Sequence, residues 1–158
     1  PDCVLAGGGS SDLIFLALRQ WLTPSSRVII LDPTYGEYAN VTEQMIRCRV
    51  ERFPLGRNSG YRLDMDRLVR SLAAGPDLLI WVNPNNPTGL HVPRKDVENV
   101  LGQLSASTRV WMDETYVEYA GQGQSLESFA AHSQNVVVCK SLSKVYALSG
   151  LRVGYLCS

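Results

Sequence analysis

Apolar positions in this chain follow two rhythms. The first is a set of short, nearly unbroken apolar runs: Val4-Leu-Ala6, Arg27-Val-Ile-Ile-Leu31, Leu78-Leu-Ile-Trp-Val82, Arg109-Val-Trp-Met112 and Asn135-Val-Val-Val-Cys139. Runs of this kind predict strands buried on both faces, as in a parallel sheet. Arg49-Val-Glu-Arg-Phe53 alternates and predicts another strand, and Gly154-Tyr-Leu-Cys-Ser158 is a last strand-like run. The second rhythm is helical. Leu13, Ile14, Leu16, Ala17, Leu18 and Trp21 form one stripe, and Tyr35, Tyr38, Val41, Thr42 and Met45 form another. Asp64 caps a helix through Leu68, Val69 and Leu72, which Gly75-Pro76 stops. Pro93 starts a helix carrying Val97, Val100, Leu101 and Leu104, and Leu126, Phe129 and Ala130 lie on a short one.

Strand and helix therefore alternate, with connections long enough for helical crossovers. The pattern predicts an α/β fold, with a mostly parallel sheet and helices on both faces. The polar residues of interest follow strands, at the carboxyl ends where open α/β sheets bind ligands.

Gly7-Gly-Gly9-Ser10-Ser11-Asp12 joins a strand to a helix. Ser10 or Ser11 is the natural N-cap, and free N–H groups at a helix start suit an anion. A glycine turn with no ligand is the plainer reading. Tyr35 follows Asp32-Pro-Thr34 and would either stack on a flat ligand or pack in the core. Asn83-Pro-Asn-Asn-Pro-Thr-Gly89 makes a rigid loop that can aim the Asn86 amide. Asp113, in Asp113-Glu-Thr-Tyr116, ends a buried strand and needs a partner there; it is a candidate partner for a cation, or an N-cap. Ser141, Ser143, Lys144 and Arg152 follow the last parallel run. Hydroxyls and a guanidinium suit a phosphate, and a lysine beside them could form a Schiff base with a phosphate-bearing aldehyde. A strand end with a solvated lysine is the alternative.

Bulk composition narrows the function classes. The chain has 158 residues, 45% hydrophobic and 19% charged, with 15 basic and 15 acidic side chains. That is an ordinary globular composition with room for one sizeable core. A formal net charge of zero gives no support for nucleic acid or an anionic membrane as partner. No apolar run approaches a spanning helix, and no signal peptide is visible. Cys3, Cys48, Cys139 and Cys157 form no C-x-x-C pair, so metal sites lack support and inert thiols are expected, in keeping with a cytoplasmic setting. His91 and His132 read as surface or satisfied histidines, and Glu51 and Glu118 as solvated or helix-end charges. Strand-like runs at both ends, Pro1-Asp-Cys-Val-Leu5 among them, suggest a fragment of a longer chain.

Three motifs in order carry a specific resemblance: Asn83-Pro-Asn-Asn-Pro-Thr-Gly89, Asp113-Glu-Thr-Tyr116, and Ser141-Leu-Ser-Lys144 with Ser149-Gly-Leu-Arg-Val-Gly154. Together with the glycine loop and Asp32-Pro-Thr-Tyr35, they resemble the fold-type-I pyridoxal-phosphate enzymes of the aminotransferase class I and II family. The resemblance covers essentially the whole chain. It leans toward the histidinol-phosphate aminotransferase and threonine-phosphate decarboxylase branches.

The resemblance implies the large domain of the aspartate-aminotransferase-like fold and pyridoxal 5'-phosphate as cofactor. Lys144 would carry the cofactor as a Schiff base and shuttle a proton, with a neighbouring cation and desolvation lowering its pKa. Asp113 would pair with the pyridine nitrogen. Tyr116 and Asn86 would bond the phenolic oxygen, and Tyr35 would stack on the ring. Gly9, Ser10 and Ser11, the Ser141 and Ser143 hydroxyls, and Arg152 would hold the phosphate. Relatives commonly show Gly-Asn-Gly-Ser-Asp-Glu where this chain has Gly7-Gly-Gly-Ser-Ser-Asp12, which leaves open which of Ser10 and Ser11 touches phosphate. An N-terminal segment and a C-terminal small domain of such enzymes are absent from these residues. Also implied are a homodimer and small-molecule amino acid and keto acid substrates. Three functions fit: transamination, decarboxylation of a phosphorylated amino acid, or a cofactor-binding module without turnover.

Overall fold

Seven strands form one sheet in the computed structural model, which describes residues 3–158. Pro1 and Asp2, the start of the first strand-like run, lie outside the described residues. The strands are β1 Val4–Gly7, β2 Arg27–Asp32, β3 Arg49–Pro54, β4 Leu78–Val82, β5 Arg109–Asp113, β6 Val136–Ser141 and β7 Gly154–Cys157. Pairing is parallel from β3 through β2, β4 and β5 to β6. Only β7 runs the other way, antiparallel to both β6 and β1. The expected mostly parallel α/β sheet is what forms.

Helices cover both faces. On one face, Val28, Ile30, Leu78, Ile80, Val82, Trp111 and Cys139 pack against Leu13, Ile14 and Leu18 of α1 (Ser10–Trp21) and Tyr38 of α2 (Gly36–Ala39). On the other, Ile29, Leu31, Leu79, Trp81, Val110, Met112, Val136 and Val138 meet α3 (Met65–Leu72), α4 (Arg94–Leu101) and α5 (Glu127–Ala130). Adjacent strand residues fall into opposite clusters, as the period of two requires. That is why the central strands read as continuous apolar runs. Burial of each large aliphatic side chain contributes ~1.5–3 kcal/mol.

Local details follow their sequence signals. The Asp64 carboxylate accepts from Arg67 N–H at 2.9 Å and caps α3 as expected. The stripe from Tyr35 to Met45 is helical but widens after α2 into a π-helical stretch, Asn40–Met45, with Thr42 fully buried inside it. The Thr42 hydroxyl donates to the Tyr38 carbonyl at 2.7 Å, a side-chain bond that competes with the regular ladder. β6 extends beyond Cys139 to Lys140 and Ser141, pairing with β7 up to Ser141–Gly154.

Candidate functional site

At the α1 end of the sheet, hydrogen-bond donors gather at one corner. Gly9, at φ 101, is the N-cap of α1, rather than Ser10 or Ser11. Leu13 N–H donates back to the Gly9 carbonyl at 3.2 Å, so the first-turn N–H groups of Ser10 and Ser11 have no intrahelical acceptor. Neither serine hydroxyl caps the helix, because glycine alone suits that backbone and the close approach of Arg152. A Cβ on Gly9 would stand 2.7 Å from Arg152 Nη2. Arg152 itself occupies the left-handed region, at φ 50, and its Nη1 donates to Ser143 Oγ at 3.4 Å and to the Ser149 carbonyl at 3.3 Å. Ser141, the last residue of β6, is buried, and its Oγ accepts from Ser143 N–H at 3.4 Å. A Cβ on Gly154 would lie 2.8 Å from the Lys140 carbonyl and 2.9 Å from Ser10 N, so β7 can pass the corner only with glycine there. Backbone N–H groups, a guanidinium and two hydroxyls are gathered at this corner, a donor set whose chemistry suits a phosphate.

Asp113 ends β5 on the α1 and α2 face. Its side chain is 3% exposed. Oδ1 accepts from Thr115 N–H at 2.9 Å and Oδ2 from the Tyr38 hydroxyl at 2.6 Å. The sequence alone admits a cation partner or an N-cap; among the described residues Asp113 has two neutral donors and no cation. Such a buried carboxylate is poised to hold a positive charge brought by a ligand. The Tyr38 hydroxyl in turn accepts from Trp111 Nε1 at 2.8 Å. Burial, followed by the charge of Asp113, pushes the Tyr38 phenol well above its ordinary range, so Tyr38 stays a donor. Burial likewise raises the Cys139 thiol, as expected for an inert cysteine. All four cysteines are free.

Beyond Asp113 lies a cavity of about 370 Å³, lined among others by Asn86, His91, Tyr116 and Tyr119. Asn83 and Asn85 are committed to the loop's own structure. Asn83 exchanges two 2.8 Å bonds with the Val92 backbone, and Asn85 bonds the Pro33 carbonyl, Thr34 and Thr88, each at 2.9 Å. Among the described residues the Asn86 amide and the Tyr116 hydroxyl make no hydrogen bond of their own, and both face one cavity. Tyr35 is half-buried, edge-to-face on Tyr38 with ring centroids 6.0 Å apart. Lys144 is exposed, so the described residues do not desolvate it. His91 is neither a surface nor a satisfied histidine: it is partly buried, and its Nε2 has no partner among the described residues. Burial lowers its pKa. His132 matches expectation, exposed with Nδ1 2.8 Å from the Ser128 carbonyl.

Sequence reading missed two groups. Tyr38 and Trp111 looked like core residues because both lie on apolar stripes, and no local signal distinguishes a hydroxyl that meets a carboxylate 75 positions away. Lys140 and Glu118 are the second group. Glu118 is not a solvated helix-end charge; it pairs with buried Lys140 at 2.9 Å. A lysine inside the apolar run of β6, two residues after Val138, was the available signal.

Comparisons with known proteins converge on one family. The chain is 33% identical over 156 residues to a histidinol-phosphate aminotransferase of Leuconostoc citreum, a match covering 98% of this chain and 44% of that protein. The structure resembles a Mycobacterium tuberculosis aminotransferase at TM-score 0.84 and 28% identity, covering all of this chain and 41% of that one. It also resembles a Sulfurospirillum multivorans decarboxylase at TM-score 0.87 and 26% identity, covering 99% and 45%. The chain thus spans less than half the length of the curated relatives it matches. The family model for aminotransferase class I and II matches residues 1–158, and the chain belongs to that family.

Proposed function

We propose that this chain is the cofactor-binding large domain of a pyridoxal 5'-phosphate-dependent aminotransferase of the histidinol-phosphate aminotransferase kind. The observation that carries the reading is Asp113: a buried carboxylate with no cation partner among the described residues, on the same face as the donors gathered beside Gly9. Pyridoxal phosphate has complementary chemistry: a phosphate, a protonatable ring nitrogen, a phenolic oxygen and an aldehyde. The Leuconostoc relative supports the amino-transfer reading by its name.

The bound group supplies an electron-accepting ring and an aldehyde carbon. The chain's residues do the rest. Arg152, the Ser141 and Ser143 hydroxyls, and the N–H groups of Ser10 and Ser11 hold the phosphate beside Gly9. Asp113 keeps a proton on the ring nitrogen, and Tyr38 holds that carboxylate in place. Asn86 and Tyr116, which line one cavity, would bond the phenolic oxygen, and Tyr35 would be the aromatic that packs against the ring. Lys144 would supply the amine for the aldehyde and would be the group able to move a proton at the substrate's α-carbon. Its exposure here calls for cover from outside residues 1–158, which fits a second domain and a partner subunit in a homodimer. Substrates are small amino acids or amino-phosphates and 2-oxo acids, and the setting is cytoplasmic. Among the described residues no helix is long and apolar enough to cross a membrane.

The Sulfurospirillum neighbour favours a second reading, decarboxylation on the same scaffold. Assaying the full-length protein with amino donors and 2-oxo acids separates the two. A new amino acid is expected. Carbon dioxide release without exchange would replace the first reading by the second, and neither product would sink both in favour of a binding module.

A further inference from the structure

We infer that Lys140 and Glu118 are positioning residues: a buried ion cluster on the back of the sheet holds the site's segments in register on the front. The inference rests on the site reading above and extends it to residues that touch none of the proposed ligand.

Lys140 is 4% exposed, on the face of β6 opposite Ser141. Its ammonium lies 2.9 Å from Glu118, 3.2 Å from Glu114 and 3.8 Å from Glu127. Lys140, Glu114 and Glu118 each sit a short step along the chain from a proposed site residue, and Glu127 joins the cluster through space. Glu114 follows Asp113 directly, and its two oxygens also accept from Ser125 Oγ at 2.6 Å and Leu126 N–H at 2.7 Å. Glu118 is on the 3-10 turn that begins just after Tyr116, and it accepts from the Tyr146 hydroxyl at 3.3 Å, two residues beyond Lys144. Lys140 precedes Ser141. Glu127 accepts from the Tyr155 hydroxyl at 2.7 Å, in the strand that Arg152 leads into.

One ammonium therefore gathers the chain just after Asp113, just after Tyr116, just before Ser141 and, through Tyr146 and Tyr155, the Lys144–Arg152 loop and the strand that follows it. The strand period of two makes this possible: front-face residues alternate with back-face residues on β5 and β6. The loop from Leu142 to Arg152 is closed by bonds of its own, such as Leu148 N–H to the Leu142 carbonyl at 3.1 Å and Arg152 Nη1 to Ser143 Oγ at 3.4 Å, and the Tyr146 hydroxyl ties it to Glu118. Lys144, Tyr146, Ala147, Leu148, Ser149, Gly150, Leu151 and Arg152 are all exposed. A buried charge that pairs with several elements fixes their relative placement, because any slip leaves an unpaired ion in the interior. Burial works against the Lys140 ammonium, but the Glu118 bond and the charges of Glu114, Glu118 and Glu127 outweigh it and raise its pKa.

The test uses the full-length protein with Lys140→Met, Glu118→Gln, the double variant and Lys140→Arg. Hydrogen exchange in the cofactor-free protein is read over residues 115–120 and 142–153, and cofactor affinity is read separately. Positioning predicts about tenfold or faster exchange in both segments, and about tenfold weaker cofactor binding, in Lys140→Met, with non-additive loss in the double variant and recovery in Lys140→Arg. Glu118→Gln removes the partner on the more exposed side and keeps the test open if Lys140→Met fails to fold. Lower global stability with unchanged exchange in those two segments would overturn the inference. Exchange does not need cofactor, so a wild type that binds none would defeat the proposed function while leaving this inference decided by exchange alone.

Discussion

At the scale of single residues, the chemistry turns on how Asp113 is held buried with no cation partner among the described residues. Tyr38 answers part of this, since its hydroxyl donates to Asp113 while accepting from Trp111. Tyr38→Phe should cost about 1–3 kcal/mol, because it leaves an indole N–H and a carboxylate oxygen short of partners in the core. Urea unfolding of the variant checks this; a change within a few tenths of a kcal/mol would mean that water replaces the phenol. Gly9 is a second sensitive point, as its φ of 101 and its 2.7 Å clearance to Arg152 both oppose a side chain. Gly9→Ala should weaken binding of pyridoxal phosphate at least ~10-fold, with ~1–3 kcal/mol of backbone strain added. Fluorescence titration measures the first and denaturation the second. At this scale a motif singles out Asn86, Asp113 and Lys144, whose roles are proposals; the burial of Asp113 is what the structure adds. Tyr38, Trp111 and Glu118 were not legible in the sequence, because their roles depend on partners far away in sequence.

At the scale of elements, the apolar runs gave the parallel strands nearly residue for residue, because a strand buried on both faces leaves no other pattern. Helix ends were less legible. The serines after Gly9 carried the usual N-cap signal, yet the approach of Arg152 and β7 hands the cap to glycine. β6 runs further than its apolar letters because Lys140 is satisfied by three carboxylates, which no hydropathy pattern anticipates. The π-helical widening at Asn40–Met45 was equally silent, arising from a buried Thr42 bonded to Tyr38. α3, by contrast, was capped where its sequence says, and it lies on the opposite face of the sheet from Asp113. Asp64→Ala should therefore lower stability by about 1 kcal/mol and leave cofactor affinity unchanged. Thermal unfolding and the same fluorescence titration test both halves of that statement.

At the scale of the whole molecule, buried ionisable groups set the response to pH. Lys140 is raised by its carboxylates against the opposing effect of burial, and Tyr155 is raised by burial and by Glu127. Both folded-state values lie above the unfolded ones, so their stabilisation is fully present below the unfolded values and lost as pH rises through the folded ones. The urea midpoint should hold steady through mildly alkaline pH and fall above about pH 10, where unfolded lysine and tyrosine begin to titrate. Tyr155→Phe should flatten part of that fall. A midpoint that drops between neutrality and mildly alkaline pH would place the responsible group elsewhere. The exposed apolar side chains Tyr119, Tyr146, Leu148 and Leu151 gather in the segments after Tyr116 and Lys144, in keeping with the proposed second domain and partner.

The central claim is that Lys144, among the three lysines of this chain, is the one that bonds the cofactor. Incubation with pyridoxal phosphate, reduction with borohydride and peptide mass mapping read this directly. The adduct is predicted on Lys144 at one equivalent, absent from Lys95 and from Lys140, whose ammonium is buried among carboxylates. Labelling spread over Lys95 and Lys144 alike, or none at Lys144, would contradict the account.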